Sequence, residues 1–263
     1  KGMSSPDLLY TAKSSYSKPV IKKRVLIRSK KIKLLIAPHS FCDSPHVKGN
    51  AFFPDIYEWL DNLGKISNET NYDWYIKCHP DFTNYWDNTE LIVKKYVKKY
   101  PKIKYLNSNI SHINIIRDGI DYVLTVHGTI AGEYPFFGVN AINASRNHSQ
   151  IKYDFTIIPK NKKSYLNLIK NLSKPNRVNK VKQVLEHEYM KYEYFNNKWF
   201  FNDLNKIKRD IHGYNNFFRE EMYNHFTKNF DLKLHTKRYQ KIDKFINSNR
   251  YVLIDWKFTI YYK

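Results

Sequence analysis

The sequence predicts an α/β protein with a parallel sheet, followed by a mainly helical C-terminal region. Short apolar, β-branched runs of strand length alternate with stretches of helical spacing over the first two thirds of the chain. Such runs are typical of strands buried on both faces, and a strand, a helix and a further strand form a right-handed parallel unit. Beyond residue 175 the chain becomes rich in Lys, Asn, Tyr and Phe with helical spacing.

The individual elements follow from these runs and from their flanking residues. Strands are predicted at residues 32–37, 72–78, 103–106, 121–126 and 139–143. Helices are predicted at residues 53–66, 84–99, 111–118, 129–137 and 161–172. Ser111 and Asn161 suit helix N-caps, while Gly64 and Gly119 suit helix ends. Residues 250–260 alternate in part and are compatible with a late strand.

These patterns divide the chain into three parts. Residues 1–31 form a basic lead or linker with little periodicity, and residues 32–175 form the α/β domain. Residues 176–263 form the helical, aromatic-rich C-terminal region. A chain of 263 residues is long enough to bury a substantial core in one or two domains.

The turn after the fourth predicted strand carries His127, Gly128 and Thr129. In a strand–turn–helix unit the helix N-terminus directs unpaired N–H groups at the crevice beyond the strand ends, which favours an anion. Gly128 permits close backbone approach, and Thr129 offers a hydroxyl. The alternative is an ordinary glycine turn capped by Thr129, with His127 packed in the core.

The second predicted strand ends in Lys77 and His79, and Pro80 stops its ladder. Both side chains alternate with Ile76 and Cys78, so they fall on one face at the carboxyl end of the strand. Ligands of open α/β sheets bind at that end. A cation and an imidazole there can neutralise a diphosphate or protonate a departing phosphate oxygen.

The loop after the first predicted strand, residues 38–46, is dense in ionisable and hydroxyl groups. It contains His39, Ser40, Asp43 and His46. A zinc site with His39, Asp43 and His46 as ligands is the competing interpretation. No fourth ligand is near and Cys42 is expected to face away, so a metal-free phosphate site is favoured. Histidines therefore follow three predicted strands, and the carboxyl ends of these parallel strands are expected to lie at one edge of the sheet.

These three segments resemble the bacterial surface-polysaccharide glycosyltransferases of the GT-B type, in particular the capsule-synthesis group with a His-Pro motif. The similarity covers residues 32–173, and the segments 39–43 and 53–60 also look like this group. The resemblance implies a Rossmann-like donor-binding half in which His79 contacts the donor's phosphate and Gly128 and Thr129 hold the same phosphate. Residues 133–138 are similar to the Glu-x-x-x-x-Gly-x-Pro signature whose glutamate, here Glu133, binds the nucleotide ribose. Asn140 stands where that signature has proline.

The function that follows is transfer of a sugar from a nucleotide-activated donor to a surface glycan of the capsule or lipopolysaccharide type. The donor is linked to CMP, CDP, UDP or GDP, and neither a metal nor another cofactor is expected. Asp43 and His46 are the candidate general bases, and His79 acts on the leaving phosphate. The acceptor is a glycan or a lipid-linked glycan, and the N-terminal acceptor domain is expected to be missing from this chain. Transfer of a phosphoglycerol group from a CDP-glycerol-type donor is the alternative.

The formal charge of +21 bears on partners and location. It attracts anionic lipid, polysaccharide or nucleic acid. No zinc-finger spacing, RNP-like motif or clear helix-turn-helix is present, so a nucleic-acid-binding protein is disfavoured. The two cysteines, Cys42 and Cys78, indicate a reducing compartment. We therefore expect a cytoplasmic protein that associates peripherally with the inner face of the bacterial plasma membrane.

Overall fold

The computed structural model describes residues 22–41, 51–79, 88–176, 180–190, 209–212 and 219–248. The chain divides into two compact units between His187 and Glu188. The boundary of the α/β domain after residue 175, set from the sequence, stays a prediction.

The first unit contains a six-stranded sheet in which all neighbouring strands are parallel. Its strands are β1 (Lys33–Ile36), β2 (Asp73–Lys77), β3 (Ile103–Leu106), β4 (Tyr122–Thr125), β5 (Asn140–Asn143) and β6 (Thr156–Ile157). They lie in the order β3-β2-β1-β4-β5-β6. This is the order of a doubly wound, Rossmann-like sheet, so the predicted fold class is confirmed.

Five helices follow the strands of this unit. They are α1 (Ile56–Glu69), α2 (Thr89–Lys99), α3 (His112–Arg117), α4 (Ile130–Phe136) and α5 (Lys162–Lys170). The predicted caps of α3 and α5 are confirmed, because the Ser111 hydroxyl accepts from Ile113 N at 3.2 Å and Asn161 forms a capping box with Ser164. Gly119 ends α3 with a φ of 90°, in the left-handed region that favours glycine.

Gly64 does not end a helix, and the prediction that it does is wrong. It lies inside α1, which continues to Glu69. The ring of Tyr100 packs directly on the Gly64 backbone, where an added Cβ atom would overlap the ring. The glycine therefore serves the close approach of Tyr100 to α1.

The sheet carries an apolar layer on each face, because successive side chains of a strand point to opposite faces. Leu34 and Ile36 of β1 pack in the layer that contains residues of α1, α2 and α5, and Leu35 packs in the layer of α3 and α4. All three side chains are fully buried. Because both faces are buried, the strands are continuous apolar runs in the sequence. The carboxyl ends of these parallel strands lie along one edge of the sheet.

The sixth strand, β6, was not predicted. It has two residues, and it pairs with β5 through Ala141 with Thr156 and Ile142 with Ile157. Ile157 is exposed, so the segment lacks the apolar run that identifies the other strands. The Thr156 hydroxyl donates to Ala131 O at 2.8 Å and thereby ties the strand to α4.

The described end of the predicted lead packs on the α/β unit and is not a free linker there. Asp118, which is buried, accepts hydrogen bonds from the backbone N–H groups of Val25 at 2.5 Å and Leu26 at 3.2 Å. The Arg24 guanidinium donates to Asp118 O at 2.6 Å. Leu26 is 3% exposed and joins the apolar layer of α3 and α4. One carboxylate therefore fastens the lead to the end of α3.

Asp61 on α1 joins this helix to the end of α2, and its substitution is expected to cost stability. Hydrogen bonds from Lys65, Lys99 and Tyr100 hold the pKa of Asp61 well below its ordinary value. Lys65 and Lys99 lie 2.8 Å and 2.6 Å from the carboxylate. Asp61→Asn is expected to lower the free energy of unfolding at neutral pH by about 1 kcal/mol, as measured by urea denaturation.

The contribution of Asp61 should also depend on pH. Because the pKa is depressed in the folded protein, the stabilisation is present above the unfolded value of about 3.9 and is lost as the pH falls below it. The difference between wild type and Asp61→Asn should therefore shrink in acid. Glu69→Gln, which breaks an exposed ion pair with Lys170, is the control and should change stability little. An undiminished difference in acid would contradict the assignment.

The C-terminal part of the chain is helical where the structure describes it, as the sequence predicted. α6 (Val181–Tyr189) crosses the boundary between the units, and the second unit contains α7 (Glu220–Lys228) and α8 (Leu232–Ile246). The ring of Phe230, which precedes α8, stacks on the ring of His235 in α8, and the two ring centroids lie 4.6 Å apart. The predicted late strand at residues 250–260 lies outside the described residues. None of the described helices is both long and apolar enough to cross a bilayer.

Candidate functional site

The strand order reverses between β1 and β4, and ligands of doubly wound sheets bind beyond the carboxyl ends of the strands at this position. The loops after these two strands are joined by a hydrogen bond. The backbone N–H of His127 donates to His39 Nε2 at 3.0 Å. Because Nε2 accepts, the His39 ring is neutral and carries its proton on Nδ1. Two of the predicted histidines therefore meet, and His39 holds the turn that carries His127.

Gly128 is required by a close approach within this turn. Its N–H donates to Thr125 Oγ1 at 3.2 Å, and a Cβ atom at this position would lie 2.7 Å from the same oxygen and 3.2 Å from Ile130 Cγ2. The sequence predicted close approach to a ligand at Gly128. The structure shows close approach to Thr125, which sets the path of the turn.

Thr129 and Glu133, both predicted to bind the donor, are paired with each other. The Thr129 hydroxyl donates to Glu133 Oε1 at 2.8 Å across one turn of α4. Thr129 is exposed and Glu133 is half-buried. The pair lies at the start of α4, directly after the turn that His39 holds.

Lys77 and His79 differ in depth, although they follow the same strand. Lys77 is 2% exposed, and its Nζ lies 3.3 Å from His112 Nε2. His79 is exposed at the surface beyond β2. The strand alternation predicted a shared face, but only His79 is presented to solvent. Lys77 instead places its amino group beneath the strand ends, against His112.

His112 and Tyr134 are polar partners that the sequence analysis did not identify. His112 Nδ1 lies 2.8 Å from the Tyr134 hydroxyl, so a buried polar chain runs from Lys77 through His112 to Tyr134. A protonated Lys77 only donates, and His112 then accepts at Nε2 and donates from Nδ1. Burial raises the pKa of Tyr134 well above its ordinary value. The sequence did predict Ser111 as an N-cap that follows a strand. That prediction places His112 in the first turn of α3, and it was the feature from which His112 could have been identified.

Ser40 follows β1 and is buried, 2% exposed. Its hydroxyl has no hydrogen-bond partner among the residues that the structure describes. Asp43 and His46, the candidate general bases, lie outside the described residues. The described ranges contain no group of three His, Cys, Asp or Glu residues suited to a metal ion. Two of the three residues of the zinc alternative lie outside those ranges, so that alternative is not tested.

No protein-family model and no curated protein matches the sequence. Among solved structures, the UDP-GlcNAc 2-epimerase of Methanocaldococcus jannaschii in complex with UDP-GlcNAc and UDP is similar, with 13% identity and a TM-score of 0.37 over 60% of this chain and 46% of that chain. The wall teichoic acid polymerase TagF is similar with 18% identity and a TM-score of 0.34, over 62% of this chain and 40% of that chain. At these values neither likeness identifies a family or an activity. The chain spans less than half the length of either protein.

Proposed function

We propose that this chain carries the donor site of a GT-B type glycosyltransferase, which moves a sugar from a nucleotide-activated donor to a surface glycan. The observation that carries the proposal is the bond between the His127 N–H and His39 Nε2 at the reversal of strand order. Two loops that resemble the capsule-synthesis group in sequence are thereby joined where a Rossmann-like sheet binds its ligand.

The neighbouring side chains have the chemistry that a diphosphate requires. His79 follows β2 and Thr129 follows β4, and the two strands flank β1 in the sheet. Two strand spacings amount to about 10 Å, a distance that the phosphates and the attached groups of one donor can span. Lys77, buried at the end of β2, would add a positive charge near the phosphates when protonated. Glu133, beside Thr129, is proposed to accept hydrogen bonds from the ribose hydroxyls.

The reaction that we propose needs a proton acceptor and a stabilised leaving group. The acceptor hydroxyl oxygen attacks the anomeric carbon, the bond from that carbon to the phosphate oxygen breaks, and the hydroxyl proton passes to Asp43 or His46. His79 and Thr129 stabilise the charge that develops on the departing nucleotide, which makes a metal ion unnecessary. The charge of +21 favours peripheral attachment to the anionic inner face of the membrane.

Calorimetric titration with CMP, CDP, UDP, GDP and ADP tests this proposal. At least one nucleotide should bind. His79→Ala and Thr129→Ala should each weaken its binding by roughly 1.5–3 kcal/mol, because each removes a hydrogen bond to a charged phosphate. For Thr129 the proposal requires the hydroxyl to turn from Glu133 Oε1 to the phosphate when the donor binds. Thr227→Ala is the matched control, since the Thr227 hydroxyl donates to Tyr223 O within its own helix. Wild-type affinity in both His79→Ala and Thr129→Ala would show that the phosphate lies elsewhere.

A further inference from the structure

Asn143, the last residue of β5, has a side chain that no element of the proposed function explains. It is fully buried, and neither its amide nitrogen nor its amide oxygen has a hydrogen-bond partner among the described residues. Buried amides are almost always hydrogen-bonded, because an unpaired one pays the full cost of leaving water. An unsatisfied amide at a strand end therefore needs a partner from outside the described residues, either a bound water molecule or a ligand.

The register places this amide beside the proposed donor site. Asn143 pairs with Thr125, the last residue of β4, which accepts the Gly128 N–H. By strand alternation Asn143 shares the face of Ala141, which packs in the layer of α3 and α4. Thr125 shares the face of Val123, in the same layer. The amide thus lies on the α4 side of the carboxyl edge, one strand beyond the reversal point.

A second unsatisfied group lies on the other side of the same turn. The Ser40 hydroxyl follows β1, so β4 and its Gly128 turn lie between Ser40 and Asn143 in the order of the strands. On the opposite face, the last side chains of β1 and β4 are apolar, namely Ile36 and Leu124. The unpaired groups of Ser40 and Asn143 both lie at the carboxyl ends of strands, which is the edge of the sheet where the donor is proposed to bind.

We propose that the Asn143 amide binds the part of the donor that both donates and accepts hydrogen bonds, an inference that rests on the proposed nucleotide site. Phosphate oxygens only accept, so a phosphate would leave the amide oxygen unpaired. A nucleobase amide edge and the hydroxyls of a sugar each satisfy both amide atoms. The amide is fully buried and α4 packs on β5, so the proposal requires the start of α4 to move outward when this group enters.

The test compares Asn143→Ala with wild type for three probes: inorganic pyrophosphate, the best-binding nucleoside diphosphate and the sugar-linked form of that nucleotide. Pyrophosphate affinity should not change. The three probes increase in size, and the smallest one that contains the group bound by Asn143 should show the loss. Its affinity should fall about tenfold, the effect of one hydrogen bond. A loss that appears with the nucleoside diphosphate assigns the amide to the base, and a loss confined to the sugar-linked form assigns it to the sugar.

The melting temperature of the ligand-free variant separates a binding role from a structural one. Because Asn143→Ala removes an unpaired buried amide, the melting temperature should stay equal or rise, while affinity falls. Asn143→Ser is the second variant if the alanine protein does not fold, and it should show the same pattern with a smaller loss. Asn140→Ala, at the other end of β5, is the matched control and should leave all three affinities unchanged.

Two results would overturn the inference while leaving the proposed function intact. One is nucleotide and sugar-nucleotide binding by Asn143→Ala at wild-type strength. The other is a lower melting temperature with an equal loss for all three probes, which would make the amide a structural group. If the wild-type protein binds no nucleotide at all, the proposed function fails, and this inference fails with it.

Discussion

Gly128→Ala is expected to lower nucleotide affinity roughly 10- to 100-fold, the effect of losing one hydrogen bond to a charged phosphate. The new Cβ atom would lie 2.7 Å from Thr125 Oγ1. Thr125 is fully buried and its backbone is held in the sheet by its pairing with Asn143, so its hydroxyl has little room to move away. The turn must shift instead, and it carries His127 and Thr129 with it.

A double variant distinguishes this steric effect from a general loss of folding. In Thr125→Ala/Gly128→Ala the hydroxyl is gone, and the nearest remaining atom of residue 125, its Cβ, lies 3.6 Å from the new methyl group, an ordinary contact. The double variant keeps the 3.2 Å contact with Ile130 Cγ2, so it should recover most of the lost affinity but stay weaker than Thr125→Ala alone. The double-mutant cycle measures the coupling between residues 125 and 128. Calorimetry with the best-binding nucleotide gives the affinities. A double variant as weak as Gly128→Ala would show that Thr125 is not the obstacle.

The sheet was predictable because its strands are buried on both faces. Leu34, Leu35 and Ile36 are apolar in succession, and such a run carries a signal that does not depend on its neighbours. The role of Gly64 and the existence of β6 could not be predicted from such local runs. The close approach of Tyr100 to Gly64 depends on a residue far along the chain, and β6 is a two-residue strand that exists only through its pairing with β5.

The site was predictable as a set of strand ends and not as a set of contacts. The parallel order places the loops after β1 and β4 side by side, and His39 and His127 do meet there. The alternation of side chains along β2 predicted the face of the sheet on which Lys77 lies. It did not predict that Lys77 is buried, because its amino group packs against His112 of α3. Asn143 looked like the ordinary end of a strand, since the absence of a hydrogen-bond partner is visible only in three dimensions. The roles of all the predicted site residues, including Asp43 and His46, stay predictions.

Asp118→Ala is expected to lower the free energy of unfolding by about 3–5 kcal/mol, the cost of removing one partner from a buried charged network. The carboxylate is fully buried and accepts from the N–H groups of Val25 and Leu26. It also lies 3.3 Å from the Arg117 guanidinium. Alanine leaves both N–H groups without their acceptor, and it releases the apolar contacts of Leu26.

Urea denaturation and limited proteolysis with trypsin test this expectation together. In the wild-type protein the Asp118 carboxylate and carbonyl hold residues 24–26, so cleavage at Arg24 and Arg28 should be slow. In Asp118→Ala cleavage there should precede cleavage of the α/β unit, because the lead detaches before the sheet unfolds. Asp118→Asn keeps an acceptor oxygen for the two N–H groups but loses the charge, so it should fall between wild type and alanine. Equal unfolding energies for Asp118→Ala and wild type would mean that Leu26 and its neighbours hold the lead without the carboxylate.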